Sequence, residues 1–371
     1  MGKKDNKVFM LLSVIGILLV VFGHMINSPN LMLNNLFPIY SYHMALFIFI
    51  SGYFFKDQKY IKYVLKKIKK LIIPYFLYRI FYGIIINIFL HFSIINYGEK
   101  LSVYNIFVVP FTTHGNQYFF NVASWFVITL FFIQIIYMAI FKIMKKCKCN
   151  NDYLLLFVFI LMGCFSEKLD KIGINYTIIR VMFLLPFYQL GKIYKEKIEK
   201  YDVTNNIIYF IVILCIQTIL LQTGDLTYNL NLLRLDRNYI IFFIASITGI
   251  AFWLRISKIL SKCNIADNKI LNYIGNNTFT IMMNHVFSFF LLNVCAIIVH
   301  KINNNIFNNI DYEAFKESVW FVVGSHNNVG INTIYIIFAI TFPLILKYVY
   351  LTYIKKKFLN IYLKLKNIEE Q

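Results

Sequence analysis

Residues 8–26 read VFMLLSVIGILLVVFGHMI. No acidic side chain, lysine or arginine interrupts the run. Its length matches the roughly 20 apolar residues a helix needs to cross a bilayer core. Lys3, Lys4 and Lys7 precede it and no small-residue cleavage site follows, so it reads as a retained span. A histidine, His24, sits near its end. A second apolar run over 37–55 carries another, His43, near its start.

The rest of the chain repeats the pattern. Of 371 residues, 59% are hydrophobic and 15% charged, more apolar surface than one soluble core of this size hides. The net charge of +20 does not mark a nucleic-acid binder. The lysines fall in short clusters between apolar runs, which is membrane topology. The sequence predicts an all-α, polytopic membrane protein with about ten spans, near 8–26, 37–55, 71–92, 118–141, 153–165, 175–194, 206–222, 239–254, 270–299 and 331–354. The fifth is short, and the ninth is long enough to tilt or break.

The connections orient these spans. With the N-terminus in the cytoplasm, the inner segments hold 28 Lys and Arg and the outer ones 7. Positive charge gathers on the cytoplasmic side of membrane proteins, so both termini are expected there, with 355–371 as a basic tail. The chain reads as one transmembrane domain over 1–371. The outer connection near 300–330 is long enough either to fold over a site as a lid or to be disordered. The six cysteines suggest neither a disulfide framework nor a metal set.

Ionisable side chains within spans are costly unless they face protein or water, so each is a candidate. His24 and His43 are expected at the same outer end, where two imidazoles could line one cavity or touch headgroups. A neutral imidazole can take a proton from a hydroxyl and return it. No third ligand accompanies the pair, which argues against a metal. Arg79, expected near the inner face, and Arg180, near the outer start of the sixth span, are candidate anion clamps or snorkelling cations. His285 is expected to face the interior. Trp125 is an interface anchor or part of the site.

Five pieces together resemble membrane acyltransferase family 3, the group that O-acylates bacterial surface glycans. They are Gly23-His24 ending the first span, Tyr42 to Tyr53 opening the second, Lys66-Lys67-Ile68-Lys69-Lys70 running into Ile73-Pro74-Tyr75, Ser124-Trp125-Phe126, and Tyr273-Ile274-Gly275-Asn276-Asn277-Thr278 followed by His285. The resemblance implies an acyl-CoA donor, with acetyl the commonest group moved, a glycan or glycolipid acceptor, and a multi-pass cell-membrane enzyme without a bound cofactor. It implies His24 and His43 in catalysis. Arg79, Arg180, Trp125, His285, Lys66, Lys67, Lys69 and Lys70 would then bind substrate or donor. One departure stands out: Ser13 occupies the position where the family carries Arg or Lys, leaving Arg79 or the lysines to supply that charge. Two other readings stay open, a glycan or lipid exporter and a non-catalytic relative in a glycan-synthesis complex.

Overall fold

The computed structural model describes residues 6–25, 32–112, 119–149, 151–170, 174–233, 238–303, 310–324 and 329–354. The expected basic tail and the loop histidines His114 and His326 lie outside the described residues. Among those described, every regular element is a helix. Five helices are long and apolar enough to cross a membrane: Tyr60–His91, Phe120–Lys146, Tyr239–Leu260, Thr278–Ile302 and Val329–Tyr353.

Each apolar segment predicted from sequence is helical, with altered bounds. Helix α1 (Lys7–Gly23) starts on an Asn6 cap, whose side chain accepts from the Phe9 N–H. Helix α2 (His43–Tyr53) is much shorter than expected. Pro38 and a 3-10 turn over Ile39–Ser41 take up the first part of that run. Helix α3 (Tyr60–His91) is much longer, because the lysine cluster continues into the span instead of forming a loop. Its one irregularity is a π turn at Ile68–Ile72, just before Pro74. A proline has no N–H for the residue four back, and a wide turn absorbs that missing bond.

Then follow α4 (Trp125–Lys146), α5 (Asp152–Asp170), α6 (Tyr176–Ile193), α7 (Asn206–Gln222) and α8 (Tyr239–Leu260). The long ninth segment breaks at Asn277 into α9 (Lys269–Asn276) and α10 (Thr278–Ile302). A short α11 (Tyr312–Glu317) precedes α12 (Val329–Val349).

The burial pattern is that of a protein solvated by lipid. On α3, Leu77, Phe81, Ile84 and Ile88 form an exposed stripe, Leu77 at 62%, while Arg79 on the opposite face is 1% exposed. Apolar side chains face out and most buried polar ones are paired inside, as a medium without hydrogen-bonding capacity requires. Gln217 shows the same logic, donating to the Leu36 carbonyl at 2.7 Å and accepting from Thr248 at 2.6 Å.

Helix α1 lies at the centre, packed against α2, α8, α9, α10 and α12. The closest crossing joins α2 and α6. A Cβ on Gly52 would overlap the Tyr188 carbonyl, and one on Gly191 the Phe49 carbonyl. Small residues let two backbones meet in this way.

Contacts sort the connections into two ends. At one, the Lys142 and Lys145 ammoniums pair with Asp57, Lys192 and Lys197 with Asp152, Arg255 and Lys258 with Asp202, and Lys7 with Asp267. The other end gathers the α1–α2, α3–α4, α5–α6, α7–α8 and α10–α12 connections. There the Asn96 N–H donates to the Lys316 carbonyl at 2.8 Å, and the Asn175 side chain donates to the Phe111 carbonyl.

Candidate active site

His24 caps the C-terminus of α1. Its Nδ1–H donates to the Val20 carbonyl one turn back, at 2.9 Å. His285 of α10 bonds in the same way, Nδ1 lying 2.8 Å from the Met282 carbonyl. A carbonyl only accepts, so both Nδ1 atoms carry a proton, and in the neutral rings both Nε2 atoms keep a lone pair. The His285 Nε2 then faces the His24 Nδ1–H at 3.3 Å, a second acceptor for one proton. His24 is left with Nε2 as its basic atom and two neutral acceptors behind it.

His43 opens α2 and follows the same rule, its Nδ1 lying 2.7 Å from the Ile39 carbonyl. Tyr40 stands edge-on to both imidazoles, with ring centroids 6.5 Å from His24 and 5.1 Å from His43. Its hydroxyl donates to the Gly23 carbonyl at 2.6 Å, tying the entry of α2 to the exit of α1.

The two histidines share one cavity of about 280 Å³. His24 and Tyr40 belong to the α1–α2 connection, Val122 and Ala123 to the turn before α4, Tyr228 to Asn231 to the α7–α8 connection, and Trp320 to the α10–α12 connection. Trp125, Met44 and Met282 complete it from the helices. Its depth follows from helix lengths. His285 lies near the start of α10, which runs on for about 25 Å beyond it at 1.5 Å per residue. The histidine pair is therefore sunk well below the far end of that helix.

Arg180 does not line the cavity; it builds a wall. Its Nε donates to the Leu230 carbonyl at 2.9 Å and its Nη2 to the Asn231 carbonyl, and its guanidinium stacks 4.9 Å from the Trp125 ring. One cation thus fixes both an aromatic wall and a loop wall.

Arg79 departs from its expected position near the inner face. Its Nε donates to the Ile106 carbonyl at 3.1 Å and its Nη2 to the Asn105 carbonyl, in the α3–α4 connection at the site end. The reason is the length of α3: the helix already starts at Tyr60, and the 103–112 segment folds back against it. His285 sits behind His24 and is absent from the cavity lining.

Lys66, Lys69 and Lys70 lie at the opposite end, on an open groove along α3 that also takes in Lys59, Lys62 and Leu65. Lys67 turns over the Tyr63 ring at 5.0 Å. Ser13 donates to the Phe9 carbonyl at 2.7 Å. Among the described residues, no cluster of three His, Cys, Asp or Glu has the geometry to hold a metal.

Sequence reading missed Tyr40, Trp320 and residues 228–231. Tyr40 is hidden among 27 Tyr and 38 Phe, Trp320 lies in a connection rather than a span, and the 228–231 loop meets Arg180 through backbone carbonyls. The only available signal was the length of the 300–330 connection.

No curated protein and no solved structure matches the chain. A family model described as an acyltransferase domain matches residues 11–348. That stretch runs from the first turns of α1 to the end of α12 and includes every wall of the histidine cavity, so the chain belongs to acyltransferase family 3, and the activity this supports is acyl transfer.

Proposed function

We infer that the protein is a ten-span membrane O-acyltransferase that moves an acyl group, acetyl in the simplest case, from cytoplasmic acyl-CoA to a hydroxyl of a cell-surface glycan or glycolipid. Both termini lie in the cytoplasm, and the membrane is the plasma membrane. The observation that carries the reading is the shared cavity of His24 and His43, with the His24 proton fixed on Nδ1. The basic atom is therefore Nε2. As the acceptor oxygen attacks the thioester carbonyl, Nε2 takes the hydroxyl proton. The carbon–sulfur bond then breaks, and the departing thiolate takes that proton back. His43, across Tyr40, orients the acceptor or stabilises developing charge.

The remaining residues support the two ends of the reaction. The α3 lysines, Lys66, Lys67, Lys69 and Lys70, meet the phosphates of the donor at the basic end, a role anionic headgroups would share. Arg180 acts through the walls it holds, Arg79 by fixing the 103–112 segment against α3, and Trp125 through its place in the cavity.

The test is transfer of a labelled acyl group by the protein in lipid nanodiscs, with a soluble glycan fragment as acceptor. His24→Ala is expected to lower the rate by about 10² or more while leaving insertion unchanged, the usual range for losing a general base. Wild-type transfer in that variant would remove His24 from the chemistry. Substrate movement without ester formation would instead identify an exporter.

A further inference from the structure

The α10–α12 connection reaches over the cavity, and it is pinned. Asn293, two turns beyond His285 on α10 and 2% exposed, makes three hydrogen bonds. Its Nδ2 donates to the Phe321 carbonyl at 2.6 Å, and its Oδ1 accepts from the Val323 N–H at 3.1 Å and the Tyr335 hydroxyl at 2.6 Å. Tyr335 belongs to α12, so one amide joins two helices to the loop. Upstream, Phe315 stacks on Phe290 of α10 with centroids 5.4 Å apart, and the Lys316 carbonyl accepts from Asn96. Trp320 lies between these anchors. Its indole is nearly parallel to the His24 imidazole, at 9° with centroids 5.6 Å apart.

Each restraint on His24 has a separate source. The Val20 carbonyl and His285 Nε2 hold the Nδ1 edge, and Trp320 covers one face. The same helix, α10, supplies His285 for the edge and Asn293 for the loop that covers the face. An aromatic face against an imidazole also favours the cation that forms when Nε2 takes a proton. A loop held by two bonds to one buried amide, itself tied to α12 by a third, is a fixed wall, not a lid.

We propose that Trp320, held in place by Asn293, is a positioning residue for the His24 imidazole. The role rests on the reading of His24 as the base, but the contact is testable without activity. Diethyl pyrocarbonate adds a carbethoxy group to an unprotonated imidazole nitrogen and releases ethanol and carbon dioxide. Its rate at His24, measured by mass spectrometry on the full chain in nanodiscs with His43 as internal reference, reads exposure and orientation of the ring.

Trp320→Leu removes the aromatic face at similar apolar character, and Trp320→Phe keeps it. The expected result is faster modification of His24 relative to His43 in Trp320→Leu and a near-wild-type ratio in Trp320→Phe. Asn293→Leu, which frees the loop, should mimic Trp320→Leu. In the transfer assay, Trp320→Leu should lower kcat by about 3- to 30-fold with little change in KM, the range expected for a lost cation–π contact. Trp320→Phe should recover most of it. An unchanged labelling ratio in Trp320→Leu, or a loss confined to KM, overturns the proposal. Should Asn293→Leu fail to fold, the two Trp320 variants decide alone. A wild-type protein that transfers nothing would sink the enzymatic reading and leave the labelling comparison standing.

Discussion

The tautomer of His24 is set by a carbonyl one turn behind it. The Val20 carbonyl already accepts the His24 backbone N–H at 3.3 Å, and its second lone pair is left for the imidazole. The proton position therefore follows from backbone geometry, with no carboxylate needed. Arg180 makes a similar use of carbonyls, and its value is the fork: two nitrogens reach two successive carbonyls. Arg180→Lys keeps the charge but not the fork and is expected to behave like Arg180→Met. Both should lower kcat/KM by about tenfold or more, on the scale of a lost charged hydrogen bond, measured alongside the melting temperature. A fully active lysine variant would show that charge alone suffices. At this scale the sequence exposed His24, His43, Trp125 and His285, because ionisable or interfacial side chains stand out in apolar runs. It could not expose the partners of Arg79 and Arg180, since a backbone carbonyl leaves no mark in a sequence.

The elements were legible in kind and less so in extent. Periodicity and apolar length mark where helices lie, but the ends depend on local chemistry. Pro38 and the turn at Ile39–Ser41 leave α2 with 11 residues, about 16 Å of helix, short of the roughly 30 Å hydrocarbon core. The lysines in the first turns of α3 did not end that helix, because lysine is a good helix former. Asn277 split the ninth segment. Helix α2 must be held by its neighbours, and its contact with α6 is where the two backbones touch. Gly191→Val places a branched side chain against the Phe49 carbonyl. It is expected to lower the melting temperature markedly and to reduce transfer, because α2 carries His43. Overpacking of this kind typically costs about 1–3 kcal/mol. Unchanged melting would mean the crossing is looser than described.

The whole molecule is polarised, with the histidine cavity at one end and the ion pairs at the other. Cys147, Cys149 and Cys263 are exposed free thiols at the ion-pair end. If that end is cytoplasmic, an impermeant maleimide should label them only after cells are opened. Labelling of intact cells would invert the topology. The ion pairs also set a pH limit. Hydrogen bonds from Lys142 and then Lys145 hold the Asp57 carboxyl below its ordinary range. For Asp202, burial pushes upward, but hydrogen bonds from Lys258 and Tyr194 and the neighbouring charges outweigh it, so the net shift is also down. A carboxyl with a lower folded than unfolded pKa contributes stability above its unfolded value, about 3.9, and loses it as pH falls through the folded one. The melting temperature should therefore be nearly level from neutrality to about pH 5 and drop below about pH 4. Asp202→Asn should flatten part of that drop. An equal slope in wild type and variant would show that Asp202 does not control it. The charge bias between connections was readable from lysine positions alone. Which acids clasp which lysines was not, because those partners meet only after the helices pack.

The cavity takes its walls from four separate connections, while His24 and His285 are set by the packing of α1 against α10. Shape and chemistry are thus encoded in different parts of the chain. Grafting the 228–231 loop from a relative would alter the shape of the cavity and leave His24 where α1 and α10 hold it. A differently shaped cavity is open to this scaffold by exchange of that rim, without re-engineering its centre.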